Sequence, residues 1–266
     1  MKVEGGALLV VDIGNSQVTF AIVRSNDIVG DDSLDRLDLS TQAFKSELAE
    51  NRERLSSFLK SHSAENILLV SVVPDVASLV TQLLKELIPS AKFHALTHSD
   101  VPLKSEYKPS SALGLDRLVS AYAAFAEFGA QHSNLLIIDF GTATTYNAVS
   151  CEGQFLGGAI TLGVGATLEA LHARTAQLPK ESLEFPESVL GQSTSESIRS
   201  GVLFGAVASA KGMIAQFEKD LASKGELLVI ATGGHAKLLA PHISRIDMVR
   251  PTLLLEGLVK LAKKVF

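Results

Sequence analysis

The sequence predicts an α/β protein of two lobes related by an internal duplication, each a mixed sheet flanked by helices. Leu8–Val23 reads LLVVDIGNSQVTFAIV, an apolar run closed by Asp12, a Gly-Asn-Ser turn and a second apolar run. Leu135–Val149 reads LLIIDFGTATTYNAV, and laid over the first without a gap it matches Leu-Leu, Asp12 with Asp139, and Gly14 with Gly141. Each copy is followed by strand-like segments interleaved with helix-like ones, an order that gives mixed lobes and not one doubly wound sheet. The lobes are expected at 1–117 and 118–266, with the last helix available to pack back on the first lobe.

Element by element, Leu8–Asp12 and Val18–Val23 read as strands, with Gly14-Asn15 supplying the turn of a hairpin. Leu37–His62 is expected to be helical, because Phe44, Leu48, Leu55, Phe58 and Leu59 recur at helical spacing. Asn66–Val73 reads as a strand, broken by Pro74-Asp75 before a helix over Val76–Ile88. Ala91–Leu96 suits a short strand, and Val101–Ala112, with Pro102 and Pro109, a loop. Alanine-rich Leu118–Phe128 carries Leu118, Tyr122 and Phe125 along one helical face. The second half opens with strands Leu135–Asp139 and Thr145–Val149 around Gly141, then a turn at Glu152-Gly153 into Phe155–Ile160. Helices are expected at Ala166–Ala176, Ser195–Leu221 and Leu253–Lys264, and a strand at Glu226–Ala231 ending in Thr232-Gly233-Gly234.

Composition narrows the function classes. With 46% hydrophobic and 20% charged residues the 266-residue chain is globular in type. No uninterrupted apolar run approaches the roughly 20 residues of a membrane helix. Asp12 interrupts the apolar start MKVEGGALLVVD, so no signal peptide is expected. The single cysteine, Cys151, fits a reducing compartment, and a cytoplasmic protein is expected. A formal net charge of −5 without a dense Lys/Arg block argues against nucleic acid as a partner. The chain has no P-loop, no Gly-x-Ser-x-Gly elbow and no paired-histidine zinc spacing.

The doubled Asp-x-Gly hairpin suggests phosphate. A glycine at the tip lets backbone N–H groups approach an anion with no Cβ in the way. Asn15, Ser16 and Thr19 in one copy, and Thr142, Thr144 and Thr145 in the other, add donors. A carboxylate there makes sense if it holds a cation that the phosphate oxygens also touch. Two such hairpins facing each other would clamp a polyphosphate. A single Asp-x-Gly is more often an ordinary turn, and for Asp12 an Asx-type bond is the plain structural alternative. The glycine-rich turns at Gly157-Gly158, Gly163, Gly165 and Gly233-Gly234 are consistent with backbone packed close to a flat ring or a substrate.

These motifs resemble the type III pantothenate kinases of the actin-like (ribonuclease H-like) superfamily. The matching runs are DIGNS at Asp12–Ser16, SVVP at Ser71–Pro74, GLDR at Gly114–Arg117 and DFGTATT at Asp139–Thr145, followed by GGAI at Gly157–Ile160, RTAQLP at Arg174–Pro179, GQSTSESI at Gly191–Ile198 and ATGG at Ala231–Gly234. They span nearly the whole chain in the family's order. The resemblance implies two actin-like lobes and ATP-dependent phosphorylation of pantothenate, the first step toward coenzyme A. It also implies a homodimer, a monovalent cation (K+ or NH4+) and Mg2+. Carried onto this chain, it places Asp12, Ile13, Gly14, Asn15, Ser16, Gln17, Val18 and Thr19 in the first phosphate hairpin, with Thr142 as an ATP contact. Asp139 would ligate the monovalent cation. Gly114, Leu115, Asp116 and Arg117 would line the pantothenate pocket with Asp116 as the base, and Tyr107 and Thr194 would add contacts, Thr194 from across the dimer. Three departures stand out: Leu162 where the family usually has proline, Pro109 one place early in Tyr107-Lys108-Pro109, and Ser16 where threonine is commoner.

Each role has a structural alternative. Asp116 could merely complement a helix N-terminus, worth roughly 0.3–1 kcal/mol. Arg117 could fork onto pantothenate's carboxylate or form a surface ion pair. Ser193-x-x-Glu196 reads as a capping box, so the hydroxyls near Thr194 could serve the backbone. Tyr107 could be a packing residue. At the level of the whole chain, two rival readings remain. One is a non-catalytic, Bvg accessory factor-like regulator; the other is an actin-like-fold kinase for a different small alcohol or sugar.

Overall fold

The computed structural model describes residues 7–24, 34–62, 64–105, 107–129, 133–174, 181–222 and 225–266. The chain divides into two compact units, Met1–Leu103 with Lys108–Ala123 and Thr252–Phe266, and Lys104–Tyr107 with Ala124–Pro251.

In the first unit β1 (Ala7–Ile13) and β2 (Gln17–Val23) form the expected hairpin. β1 lies mid-sheet, with β2 antiparallel on one side and β4 (Ala64–Ser71) parallel on the other, so both of its edges are paired and its side chains other than Ala7 and Asp12 are buried. That position explains an almost unbroken apolar run, each fully buried Val or Leu contributing roughly 1.5–3 kcal/mol. β3 (Asp35–Ser40) comes next and corrects one expectation, since Leu37–Ser40 is strand and not helix. It pairs with the open edge of β2, Leu39 is buried, and only α1 (Leu48–Lys60) carries the helical spacing. The chain continues through β4 (Ala64–Ser71), α2 (Pro74–Leu87) with Pro74 in its first turn, and β5 (Lys92–Ala95). The sheet order is β3-β2-β1-β4-β5.

The stretch expected as loop contains β6 (Lys104–Ser105), which pairs with the second sheet, and a cis Lys108-Pro109 bond. α3 (Leu115–Phe128) begins at Leu115, ahead of the expected Leu118, so Asp116 lies in its first turn. In the second unit come β7 (Asn134–Phe140), β8 (Ala143–Val149), β9 (Gln154–Leu162), α4 (Val164–Arg174), α5 (Thr194–Leu221), β10 (Leu227–Thr232), the one-turn α6 (Ala236–Leu239) and β11 (Met248–Val249). Its sheet runs β11-β10-β7-β8-β9-β6. Without the short β6, the order β9-β8-β7-β10-β11 repeats β3-β2-β1-β4-β5, with the same parallel and antiparallel partners. The duplication read in the sequence is thus a duplication of topology.

Among the described residues α5 is the helix long and apolar enough to cross a bilayer by length and composition. Its Ser200, Leu203, Val207, Ala210 and Ile214 recur at helical spacing and are buried, and the apolar members of that row sit in the core of the second unit. α7 (Leu253–Val265) belongs to the first unit and meets β1 and β4. Of the RTAQLP run, only Arg174, the last residue of α4, is described; 175–179 lie outside the described residues.

Candidate active site

In the first hairpin, register sets Asp12 opposite Thr19 and Ile13 opposite Val18, leaving Gly14, Asn15, Ser16 and Gln17 as the turn. The Gly14 N–H donates to the Gln17 carbonyl at 2.9 Å. Asn15, Ser16 and Gln17 are exposed, whereas Ile13 and Val18 are fully buried and could meet a ligand only through backbone. The Thr19 hydroxyl donates to Asp38 Oδ1 at 2.8 Å. Its one proton is therefore directed at Asp38 in this arrangement. Beneath the turn, the Thr41 hydroxyl donates to the Gly14 carbonyl at 2.8 Å. Asp38 and Thr41 both lie in the segment read as helix, which is why the sequence did not single them out.

Asp116 is positioned by its neighbours. A Cβ on Gly114 would sit 2.5 Å from Asp116 Oδ1, so glycine leaves room for the carboxylate to fold back over the start of α3. Oδ1 then accepts the Arg117 N–H at 2.7 Å. Burial pushes the carboxyl above its ordinary value, with the Arg117 N–H and charge acting in the opposite direction. The helix-terminus contact is thus real, and it coexists with a half-buried carboxylate whose affinity for a proton is raised. Arg117 is 8% exposed, so the alternative of a surface ion pair falls. His98 Nε2 lies 2.7 Å from the Leu113 carbonyl and ties the preceding segment down from fifteen residues away.

The second hairpin repeats the register, Asp139 opposite Thr145. Its turn, Gly141-Thr142-Ala143, is one residue shorter than the first. Thr142 is exposed, and its carbonyl accepts the Gly163 N–H at 2.9 Å. A Cβ on Gly163 would collide with the Gly141 carbonyl, and one on Gly233, where φ is 90°, with Asp139 Oδ1. These glycines therefore press against the hairpin's own backbone and carboxylate. His235, whose N–H donates to the Phe140 carbonyl at 3.0 Å, has its imidazole pKa lowered mainly by burial and is neutral near pH 7.

Asp139 is flanked in register by Thr145 and by Thr232 of β10. Carboxylate and hydroxyl oxygens are hard donors that fit Mg2+ or an alkali ion. No group of three or more His, Cys, Asp or Glu that could hold a metal occurs among the described residues. A cation here would need further oxygens, from backbone carbonyls, hydroxyls, phosphate or water, to complete its shell.

The remaining candidates sit in the second unit. The Tyr107 ring meets Phe155 edge-on, with centroids 6.2 Å apart at 72°. Thr194 is exposed at the first position of α5, and Ser193 is the cap, accepting the Glu196 N–H at 3.2 Å. Glu196 Oε2 in turn accepts the Gln192 N–H at 2.7 Å. The Thr194 hydroxyl is not the helix cap. Leu162, 55% exposed, lines a cavity of about 390 Å³ with Thr144, Tyr146, Thr161 and Thr167.

A family model for type III pantothenate kinases matches residues 8–216. The chain belongs to that family. A type III pantothenate kinase of Thermus thermophilus is 32% identical, covering 96% of this chain and 98% of its own. One from Desulforapulum autotrophicum is also 32% identical, covering 94% of each. Among solved structures, a Baf family protein from Campylobacter jejuni superposes with a TM-score of 0.58 at 19% identity, over 97% of this chain and 98% of that one. The archaeal actin homologue Ta0583 gives 0.55 at 10%, over 97% and 99%. MreB 5 of Spiroplasma citri gives 0.54 at 12%, over 99% and 98%. These likenesses show the actin-like fold that the repeated sheet order already describes. As a member of the type III pantothenate kinase family the chain is an enzyme.

Proposed function

We propose that this kinase transfers the terminal phosphoryl group of ATP to the primary hydroxyl of pantothenate, giving 4′-phosphopantothenate, with Asp116 as the base. The observation that carries the assignment is the Asp116 turn. There a glycine without a Cβ, a helix start and burial hold one carboxylate whose proton affinity is raised. Phosphoryl transfer depends chiefly on positioning and charge neutralisation, and a base within ~2.6–3.2 Å of the acceptor adds ~10²–10⁴ in rate. The Asp12–Thr19 hairpin would hold ATP phosphates through backbone N–H groups, and Thr142 would be a second nucleotide contact. Buried Arg117 suits the pantothenate carboxylate, since a guanidinium out of water forks strongly onto such a group. Tyr107, Gly114, Leu115 and Thr194 complete the substrate contacts. Asp139 would hold K+ or NH4+, and Mg2+, when bound, would neutralise phosphate charge.

The working form would be a cytoplasmic homodimer without membrane or nucleic-acid partners. Support comes from α5, whose exposed Gly201, Gly205, Ala208, Ser209 and Gly212 make a smooth face for close helix approach. ADP release measured over pantothenate and a panel of sugars, in K+ against Na+, tests the whole reading. Turnover with pantothenate, stimulated by K+, is expected. Turnover with a sugar alone would assign a different acceptor, and no turnover with any acceptor would favour a regulatory protein.

A further inference from the structure

We infer that Thr41 is a positioning residue for the phosphate-binding turn, a role that rests on reading the Asp12 hairpin as the nucleotide site. Thr41 lies just after β3 and is 6% exposed. It holds the turn at two points. Its hydroxyl donates to the Gly14 carbonyl at 2.8 Å, and its backbone N–H donates to the Ser16 carbonyl at 3.0 Å. Its own carbonyl accepts the Phe44 N–H at 3.3 Å, and Phe44 is fully buried in the core of the first unit. The turn is thereby tied to a rigid floor.

Peptide geometry turns this into a consequence for a bound anion. In a trans peptide the N–H lies opposite the C=O of the same unit. Fixing the Gly14 and Ser16 carbonyls on the Thr41 side turns the N–H groups of Asn15 and Gln17 away from it. It also keeps two carbonyl dipoles from rotating toward a bound phosphate, where they would repel it. Gly14 itself has no positive φ, and a Cβ there would meet only the Gln17 carbonyl, at an ordinary 3.4 Å. The conformation of this turn is therefore set by what lies beneath it, and not by glycine's freedom.

The test compares Thr41→Val, which keeps the shape and removes the donor, with Thr41→Ser, which keeps the donor. Steady-state kinetics are measured separately for ATP and pantothenate. The expected result for Thr41→Val is a KM for ATP raised about tenfold, the size of one lost hydrogen bond, with KM for pantothenate changed less than about twofold. Thr41→Ser should recover the wild-type KM for ATP. Should the valine variant fold poorly, Thr41→Ala replaces it, since serine and alanine differ by the one oxygen in question. Asp12→Asn separates the role of Thr41 from the assignment of the hairpin itself. If it impairs use of ATP while Thr41→Val and Thr41→Ala do not, the inference is overturned and the hairpin assignment stands. If none of the variants changes use of ATP, the hairpin assignment fails and the inference with it. Equal increases in both KM values would mark Thr41 as merely structural and overturn the inference as well.

Discussion

A carboxylate that folds back over its own helix start is normally held in the ionised form by the N–H groups it accepts. At Asp116 burial outweighs that effect and the pKa is raised. The sign has a consequence for activity and another for stability. As the base Asp116 must be ionised, so the acid limb of the kcat/KM profile should lie above the ordinary carboxylate value of about 3.9. A limb at or below that value would remove Asp116 from the role. For stability, a folded value above the unfolded one means that folding favours the protonated form. The stabilisation is complete below the unfolded pKa and is lost as pH rises through the raised folded value. Asp116→Asn should therefore melt higher than wild type at pH 7, with the gap closing in acid, while kcat falls ~10²–10⁴-fold. Retained turnover, or a lower melting point at pH 7, would contradict the assignment. At this scale the sequence showed the glycine, the acid and their spacing. It could not show that Arg117 is buried, because charge in a sequence normally signals exposure, nor that His98 holds the Leu113 carbonyl across fifteen residues.

The two hairpins show why elements were read more securely than their details. The gapless overlay of the two copies sets Thr145 on Val18, yet in the structure Thr145 stands where Thr19 does, opposite the aspartate. The second turn is one residue shorter, and a one-residue slip exchanges the faces of a strand. The Asp–Thr pair was thus present in both copies but hidden by the alignment. β3 was missed for another reason: Leu37 and Leu39 lead directly into residues with helical spacing, and only the open edge of β2 decides for strand. The glycine-rich turns were legible as turns, but their use was not, since Gly163 and Gly233 accommodate the second hairpin itself. Gly233→Ala combines a positive φ with a collision against Asp139. It should destabilise the fold by more than ~1 kcal/mol in denaturant melts and weaken activation by K+. Wild-type stability with unchanged K+ dependence would show that Gly233 does not shape the Asp139 site.

For the molecule as a whole, the repeated sheet order points to an old duplication, but the copies have diverged in the helices beyond each hairpin. The first copy goes on through short helices, whereas the second carries α5, 28 residues long, with one face in its own core and a smooth exposed face of small residues. That divergence matters if Thr194, at the first position of α5, completes the pantothenate site of the other protomer. The proposal can be tested by complementation between two crippled variants. Asp116→Asn lacks the base, and Thr194→Ala lacks the contact supplied in trans. Random exchange of subunits at equal concentrations gives half mixed dimers, and each mixed dimer pairs one intact Asp116 with one intact Thr194 at a single site. Mixing should therefore restore about a quarter of wild-type activity, although neither variant alone approaches it. If Thr194 instead serves its own protomer, every site in the mixture, mixed dimers included, lacks one group or the other, and activity stays at the average of the two variants. If the protein sediments as a monomer, mixing can restore nothing, and the two failures are told apart by measuring mass before exchange.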